Sequence, residues 1–191
     1  QAHYDLALSQ LLEALSLFEK LDDLSGQAEA LNYIGNVYLS VGNYPDSLEY
    51  TLRTLDIRQI LHDQAGEALA LNNLGYLYLY MQDCPKALDY LQQCLQLSRE
   101  IGYTEAEAHA LDNSCNLYCA LKEYDNALRC GFKSLQLYRK LGNALAEAEA
   151  LNSIGDVYQA QGNLSQALSS FHNALQISQE LGNQFEVVMA L

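Results

Sequence analysis

The chain has 191 residues, half of them apolar, and its 10 Lys and Arg against 24 Asp and Glu give a formal net charge of −14. Nucleic acid and anionic membranes both attract a cationic surface, so neither is expected as a partner of this acidic chain. No apolar run approaches the ~20 residues of a membrane span, and the five Cys, an odd number, favour reduced thiols in a cytoplasmic setting over a disulfide scaffold.

One nine-residue pattern recurs at a constant interval of forty residues along the whole chain. Each copy begins with Ala-Leu and ends with Tyr, and the copies lie at 30–38, 70–78, 110–118 and 150–158, with Ala190-Leu191 opening a fifth. A constant step without insertions is typical of a solenoid, in which each unit packs only on its neighbours.

The elements follow from this repeat in chain order. Residues 3–23 match the second half of the repeat, so we expect a helix B whose helix A is missing. Four full repeats, each a helix A followed by a helix B, are then predicted at 24–63, 64–103, 104–143 and 144–183. In the first of these, apolar residues at three- and four-residue steps predict helix A over about 25–41 and helix B over about 44–62.

Residues 184–191 begin a further repeat, so the expected organisation is a single domain of nine helices and a stub. The sequence lacks an initiator Met and stops part-way through a repeat. We therefore expect it to be a segment of a longer protein.

Gly and Pro occur where these helices have to end and begin. Gly and Asn tolerate the left-handed conformation of a helix stop, and Pro is accepted in the first turn of a helix. The predicted ends of helices A are Gly42-Asn43 and Gly162-Asn163, those of helices B are Gly102, Gly142-Asn143 and Gly182-Asn183, and the predicted starts of helices B include Pro45 and Pro85.

A column of small residues lies in the middle of helix A. Gly35, Gly75 and Gly155 stand where Gly costs about 1 kcal/mol relative to Ala, which predicts that helix B crosses there too closely for a side chain. Cys115 takes the same position in the third repeat. The matching small surface on helix B is predicted at Ala7, Ser47, Ala87, Ala127 and Ala167.

These units resemble tetratricopeptide repeats. The family's apolar-Gly pair is present at Ile34-Gly35, Leu74-Gly75 and Ile154-Gly155, and its helix B signature at Ala167 and Phe171, whereas Gly131 departs from that signature in the third repeat. The family's Tyr is present in every repeat, at Tyr38, Tyr78, Tyr118 and Tyr158.

The forty-residue step is longer than the family's usual ~34 and is similar to the repeats of Pins-type spindle-orientation adaptors, kinesin light chains and bacterial signalling proteins. The resemblance implies an all-α, right-handed solenoid of helix-turn-helix repeats that binds peptides or partner domains and performs no chemistry.

The resemblance further implies that the A helices line a concave, peptide-binding groove. Asn side chains can pair with the backbone of an extended peptide, and Tyr and Leu side chains can provide apolar pockets. The predicted groove residues are Asn32, Asn36, Leu39, Asn72, Tyr76, Leu79, Tyr80, Asp112, Asn116, Asn152 and Asp156. The alternative is that Asn32, Asn72 and Asn152 bond to the neighbouring helix and only lock the stack.

The distribution of charge bears on the partner. Every Lys and Arg lies on a helix B or in the turn before it, while the A helices carry acids and no cation. A clamp for a C-terminal carboxylate is therefore excluded, and a neutral or basic protein or peptide segment is expected. For Glu67, Glu107 and Glu147, near helix starts, a simple interaction with the helix dipole is the favoured interpretation.

No motif for catalysis, for a cofactor or for a metal site accompanies the repeats. Cys115 and Cys119 are four residues apart, but two thiolates alone make no metal site, and burial as small residues is favoured. The sequence therefore predicts a non-enzymatic binding scaffold. A second hypothesis is a sensory or self-association segment of a bacterial signalling enzyme, such as a nucleotide cyclase or histidine kinase, forming homo-oligomers through helix B faces or open ends.

Overall fold

The computed structural model describes the backbone of residues 2–189 and the side chains of residue 4 and residues 6–182. In this described part the chain forms nine α-helices and no strand, which confirms the predicted all-α repeat fold. The helices are α1 (Ala2–Lys20), α2 (Leu24–Ser40), α3 (Tyr44–Ile60), α4 (Gln64–Tyr80), α5 (Cys84–Ile101), α6 (Thr104–Ala120), α7 (Tyr124–Leu141), α8 (Ala144–Ala160) and α9 (Leu164–Met189).

The helices fall into two compact units, a first unit that ends at Gly102 and a second that begins at Tyr103. Within the first unit, α1 packs on α2, α2 on α3, α3 on α4 and α4 on α5. Within the second unit, α6 packs on α7, α7 on α8 and α8 on α9, and α6 also touches α8. The even-numbered helices from α2 to α8 are the predicted helices A, and the odd-numbered helices are the helices B.

The same short turn joins successive helices at intervals of twenty residues. Its middle residue is left-handed at Asp22, Gly42, His62, Gln82, Gly102, Lys122, Gly142 and Gly162, with φ between 53° and 79°. The predicted Gly stops at 42, 102, 142 and 162 are thereby confirmed. The next residue caps the following helix by accepting a hydrogen bond from a backbone N–H three residues on, at Asp23, Asn43, Asp63, Asp83 and Asn143.

The predicted helix end at Gly182-Asn183 is wrong. Helix α9 continues through Gly182 to Met189, and Gly182 is absent from the residues with positive φ among those described. Gly permits a left-handed turn but does not impose one, and a continuing helix satisfies the same backbone groups. The predicted stub at 184–191 is therefore part of α9 as far as Met189, and its last two residues lie outside the described residues.

Close crossing of each helix pair explains the small residues. A Cβ added to Gly35 would lie 2.9 Å from Thr51 Oγ1, and one added to Gly75 would lie 2.6 Å from Leu91 Cγ. On the opposite helix, Ser47 is buried and its hydroxyl donates a 2.9 Å hydrogen bond to the carbonyl oxygen of Gly35. The predicted close approach is thus confirmed, and it fixes how each helix A lies on its helix B.

Candidate functional site

Two neighbouring pockets open on the first unit. One, of about 420 Å³, lies between α1 and α2 and is lined by Ala7, Gln10, Leu11, Tyr33, Asn36, Val37 and Ser40. The other, of about 330 Å³, lies where α2 ends, α3 begins and α4 ends, and is lined by Leu39, Ser40, Gly42, Tyr44, Tyr76 and Tyr80. Because Ser40 borders both pockets, their linings form one connected surface, which we call the first-unit surface.

The structure brings four of the predicted groove residues together on this surface. Asn36 lines the larger pocket, and Leu39, Tyr76 and Tyr80 line the smaller one. Asn36 and Tyr80 are exposed, whereas Leu39 and Tyr76 are half-buried. Residues three and four apart on one helix share a face, and this spacing places Asn36 beside Leu39 on α2 and Tyr76 beside Tyr80 on α4.

The smaller pocket is built from three tyrosine rings. The Tyr76 and Tyr80 hydroxyl oxygens lie 2.9 Å apart and hydrogen-bond, and the two rings meet edge to face with centroids 4.8 Å apart. The ring of Tyr44 lies 6.2 Å from that of Tyr80 at a tilt of 42°. Tyr44 was not among the predicted site residues. The signal that could have found it is its place immediately after the Gly42-Asn43 turn, which brings it to the end of helix A.

Asn32, Asn72, Asp112 and Asn152 form one column, the same position in four successive repeats, but their environments differ. The Nδ2 of Asn73 on α4 donates a 3.0 Å hydrogen bond to Oδ1 of Asn32 on α2. Asn32 therefore takes part in the contact between the two A helices, as the alternative interpretation expects for that residue. Asn72 is buried, with 8% of its surface exposed, whereas Asn152 is exposed. Leu79, a predicted groove residue from another column, is half-buried.

In the second unit, Asp112 stands in the same column and is partly enclosed. Its Oδ1 is buried and has no hydrogen-bond partner among the described residues. The pKa of Asp112 is raised to about 6, chiefly by burial; a hydrogen bond with Ser153 lowers it, and the negative charge of Glu149 contributes to the rise. Asp112 and Ser153 are separated along the sequence by the same step as Asn32 and Asn73.

The two remaining predicted residues of the second unit differ in exposure. Asn116 is half-buried, and Asp156 is exposed. A pocket of about 400 Å³ lies near the turn between α6 and α7, but its lining consists of other residues: Lys122, Glu123, Tyr124, Asp125, Asn126 and Gln161.

Acids at the starts of A helices interact with the preceding helix B. Glu67, in the first turn of α4, accepts a 2.9 Å hydrogen bond from Nε2 of Gln59. Glu147, in the first turn of α8, pairs with Nε of Arg139 at 2.8 Å. These contacts, with the favourable helix-dipole position, agree with a structural role for both carboxylates.

The thiols of the second unit lie in apolar surroundings. Cys115 is buried, and Cys119 and Cys130 pack against the same core cluster. Burial raises the pKa of the Cys115 and Cys119 thiols, so both are poor sources of thiolate. Among the described side chains, no three His, Cys, Asp or Glu residues are grouped as a metal site would require. None of the helices described is both long enough and apolar enough to cross a membrane.

Similarity to solved structures agrees with the helical repeat. The apo form of RapI has a TM-score of 0.73 at 17% identity, over 93% of this chain and 72% of that chain. A putative kinesin light chain from Podosopora anserina with nearly identical TPR-like repeats has a TM-score of 0.70 at 13% identity, over 95% of this chain and 90% of that chain.

A signal transduction ATPase with a tetratricopeptide repeat sensor, from Pyrococcus horikoshii, has a TM-score of 0.67 at 19% identity, over 98% of this chain and 29% of that chain. At such identities the likeness establishes the fold alone. No curated protein matches the sequence. The sequence model of the tetratricopeptide repeat family matches residues 26–100 and 106–183, and the chain therefore belongs to the tetratricopeptide repeat family.

Proposed function

We propose that the chain is a non-catalytic scaffold that binds a peptide or an extended segment of a partner protein on the first-unit surface. The observation that carries this proposal is the convergence of Asn36, Leu39, Tyr76 and Tyr80 on two adjoining pockets. Concave sites that combine apolar side chains with a few polar groups are the usual places for ligands. Binding of proteins or peptides is also the general role of tetratricopeptide repeats.

On this proposal each of the two pockets binds a different side chain of the ligand. The tyrosine-lined pocket and Leu39 receive one side chain of the ligand, and the larger pocket receives a neighbouring one. The exposed amide of Asn36 then pairs with the ligand backbone, since an Asn both donates and accepts. Asn32, Asn72 and Leu79 support this surface from the two A helices. In the second unit, Asp112, Asn116, Asn152 and Asp156 are proposed as a separate polar contact surface.

The charge of the first unit favours a neutral or basic ligand. Residues 1–102 contain five Lys or Arg against fourteen Asp or Glu. None of the residues lining the two pockets is charged. A negative field around a neutral pocket repels acidic peptides and speeds the approach of basic ones.

Selection of peptides from a random display library on the purified chain tests the proposal. We expect the selected peptides to lose affinity by about tenfold or more when Leu39→Ala or Tyr76→Ala removes a half-buried side chain that anchors the ligand. The matched control is Ile60→Ala, because Ile60 is an exposed apolar residue at the end of α3, outside both pockets. Selected peptides that bind all three variants as tightly as the original chain would contradict the proposal.

A second candidate function is self-association, and exposed Leu residues on α9 favour it. Leu168 and Leu175 are 69% and 54% exposed. One repeat earlier, the equivalent Leu135 belongs to a core cluster of the second unit, and the equivalent Leu128 packs against that cluster. Sedimentation velocity over a wide concentration range separates the two: an oligomer that Leu168→Glu dissociates supports self-association, and a monomer throughout excludes it.

A further inference from the structure

The three tyrosines of the smaller pocket occur together at one place in the repeat series. Tyr76 stands in a column that elsewhere holds Asn or Asp, and Tyr80 in a column that elsewhere holds Ser or Ala. The residues in those columns are Asn36, Asn116 and Asp156 for the first, and Ser40, Ala120 and Ala160 for the second. Packing of the repeat thus does not require the rings of Tyr76 and Tyr80, since the other repeats fold without them.

The pocket combines aromatic faces with hydroxyl acceptors. In the edge-to-face arrangement of Tyr76 and Tyr80, with centroids 4.8 Å apart, the edge of one ring meets a face of the other, so each ring keeps at least one face that its partner does not cover. The hydrogen bond between their hydroxyls uses one proton, and a phenolic oxygen such as that of Tyr80 can accept a further hydrogen bond. Tyr80 is 49% exposed, so a ligand can reach its ring. The remaining lining, Leu39, Ser40, Gly42 and Tyr44, adds no charge.

A cationic group suits this pocket better than an anionic or a neutral one. The negative face of an aromatic ring attracts a cation within about 6 Å of its centroid, and the first unit carries fourteen acids against five bases. The chain already contains this interaction, because Nζ of Lys86 lies 4.9 Å from the ring centroid of Tyr78. The guanidinium of Arg53 likewise lies 5.7 Å from the ring centroid of Tyr50.

We propose that the pocket of Tyr44, Tyr76 and Tyr80 binds an arginine side chain of the partner peptide. The planar guanidinium stacks on a tyrosine ring and donates hydrogen bonds to hydroxyl oxygens, and it is less strongly hydrated than the ammonium of lysine. The ammonium of lysine loses more hydration on entering, and the lining contains no carboxylate to compensate for that loss. This inference rests on the proposed function and adds the chemical class of the anchoring residue.

The test uses N-acetyl-arginine methylamide as the probe and N-acetyl-citrulline methylamide as its neutral, nearly isosteric control. Nuclear magnetic resonance of the chain with labelled tyrosine rings follows both titrations. We expect the arginine probe to shift the signals of Tyr44, Tyr76 and Tyr80 saturably, and the citrulline probe to bind about three- to tenfold more weakly. Tyr80→Leu should abolish the shifts at the other two rings.

Tyr4→Leu is the matched control, because Tyr4 is an exposed tyrosine that lines neither pocket, and we expect it to leave the titration at Tyr76 unchanged. The inference would be overturned by equal affinity for the arginine and citrulline probes or by the absence of a saturable shift. Tighter binding of N-acetyl-lysine methylamide or N-acetyl-proline methylamide than of the arginine probe would also overturn it.

The result is separable from that of the proposed function. A library-selected peptide that depends on Leu39 but binds equally well with each arginine replaced by citrulline would preserve the proposed function and overturn the arginine pocket. If the chain bound the arginine probe but no selected peptide bound at the first-unit surface, the arginine pocket would be supported and the proposed function would be contradicted.

Discussion

Cys115 on α6 stands where the other repeats have Gly, and Gly131 on α7 stands where they have a larger residue. In the first, second and fourth repeats, a Gly on helix A faces a larger residue on helix B, as Gly155 faces Phe171. In the third repeat the larger residue is on helix A. A Cβ added to Gly131 would lie 3.0 Å from Cys115 Sγ and 2.8 Å from Ile154 Cγ1. The two departures from the family pattern therefore compensate for each other.

This exchange predicts a coupled effect on stability. Gly131→Ala should lower the free energy of unfolding by about 1–3 kcal/mol, because the added methyl overpacks the crossing. Adding Cys115→Gly should recover part of that loss, and urea unfolding measures both. As a control, Gly182→Ala should not destabilise the chain, since an added Cβ there meets no neighbour within 4 Å. Strictly additive effects of the two substitutions in the pair would contradict the account.

The same substitution, Gln to Gly, should change stability in opposite directions at a left-handed turn and inside a helix. Gln82 has φ of 60°, a conformation that strains a residue with a Cβ by about 1–2 kcal/mol. Gln82→Gly should therefore raise the free energy of unfolding by about 0.5–1 kcal/mol, after the greater freedom of Gly in the unfolded chain is counted. Gln92→Gly, at an exposed position inside α5, should instead lower it by about 1 kcal/mol. Thermal unfolding of the two variants in parallel decides, and a loss of stability in Gln82→Gly would refute the explanation.

Asp112 makes stability depend on pH. Its pKa is raised from the ordinary 3.8 to about 6 in the folded chain, so between these values the folded state binds more protons than the unfolded state. This contribution to stability is therefore complete below pH 3.8 and is lost as pH rises to about 6. Asp112→Asn should remove the dependence and stabilise the chain by up to about 3 kcal/mol above pH 7.

Urea titrations across this pH range provide the measurement for Asp112. Asp125→Asn, at an exposed carboxylate on α7, serves as the control for the loss of one negative charge. If the difference between Asp112→Asn and the original chain were the same at pH 4 and pH 8, the buried carboxyl would not be its cause.

The two roles considered for the Asn side chains can be separated by substitution. Asn32→Ala removes the acceptor of the 3.0 Å hydrogen bond from Asn73 and should destabilise the chain by about 1 kcal/mol. Asn36 is exposed on the first-unit surface, so Asn36→Ala should leave stability unchanged and weaken peptide binding. Thermal unfolding and fluorescence anisotropy with a selected peptide test both. The reverse pattern, with Asn36 affecting folding and Asn32 only binding, would contradict this assignment.

Periodicity predicted the fold, and the resemblance to tetratricopeptide repeats supplied the candidate groove residues. The spacing of Gly35, Gly75 and Gly155 predicted the close helix crossings. Of the residues that the resemblance assigned to the groove, Leu39, Tyr76 and Tyr80 line one pocket. Such features could be predicted because they depend on position within one repeat.

Other features depend on neighbours that a column does not reveal. Asn72 and Asn152 share a column, yet one is buried and the other exposed, because exposure is set by the side chains of adjacent helices. The left-handed residues His62 and Lys122 were not predicted, since neither is the Gly that usually marks such a turn. Gly182 shows the converse, a stop residue through which the helix continues.

The most direct test of the central claim is a map of where a selected peptide binds. Nuclear magnetic resonance signals of the Asn36 amide, the Leu39 methyls and the Tyr76 and Tyr80 rings should shift on titration with the peptide, because these groups line the first-unit surface. The methyls of Ile60, outside both pockets, should not shift. Shifts confined to Ile60 and the outer faces of the B helices, with the four groups of the first-unit surface unchanged, would contradict the account.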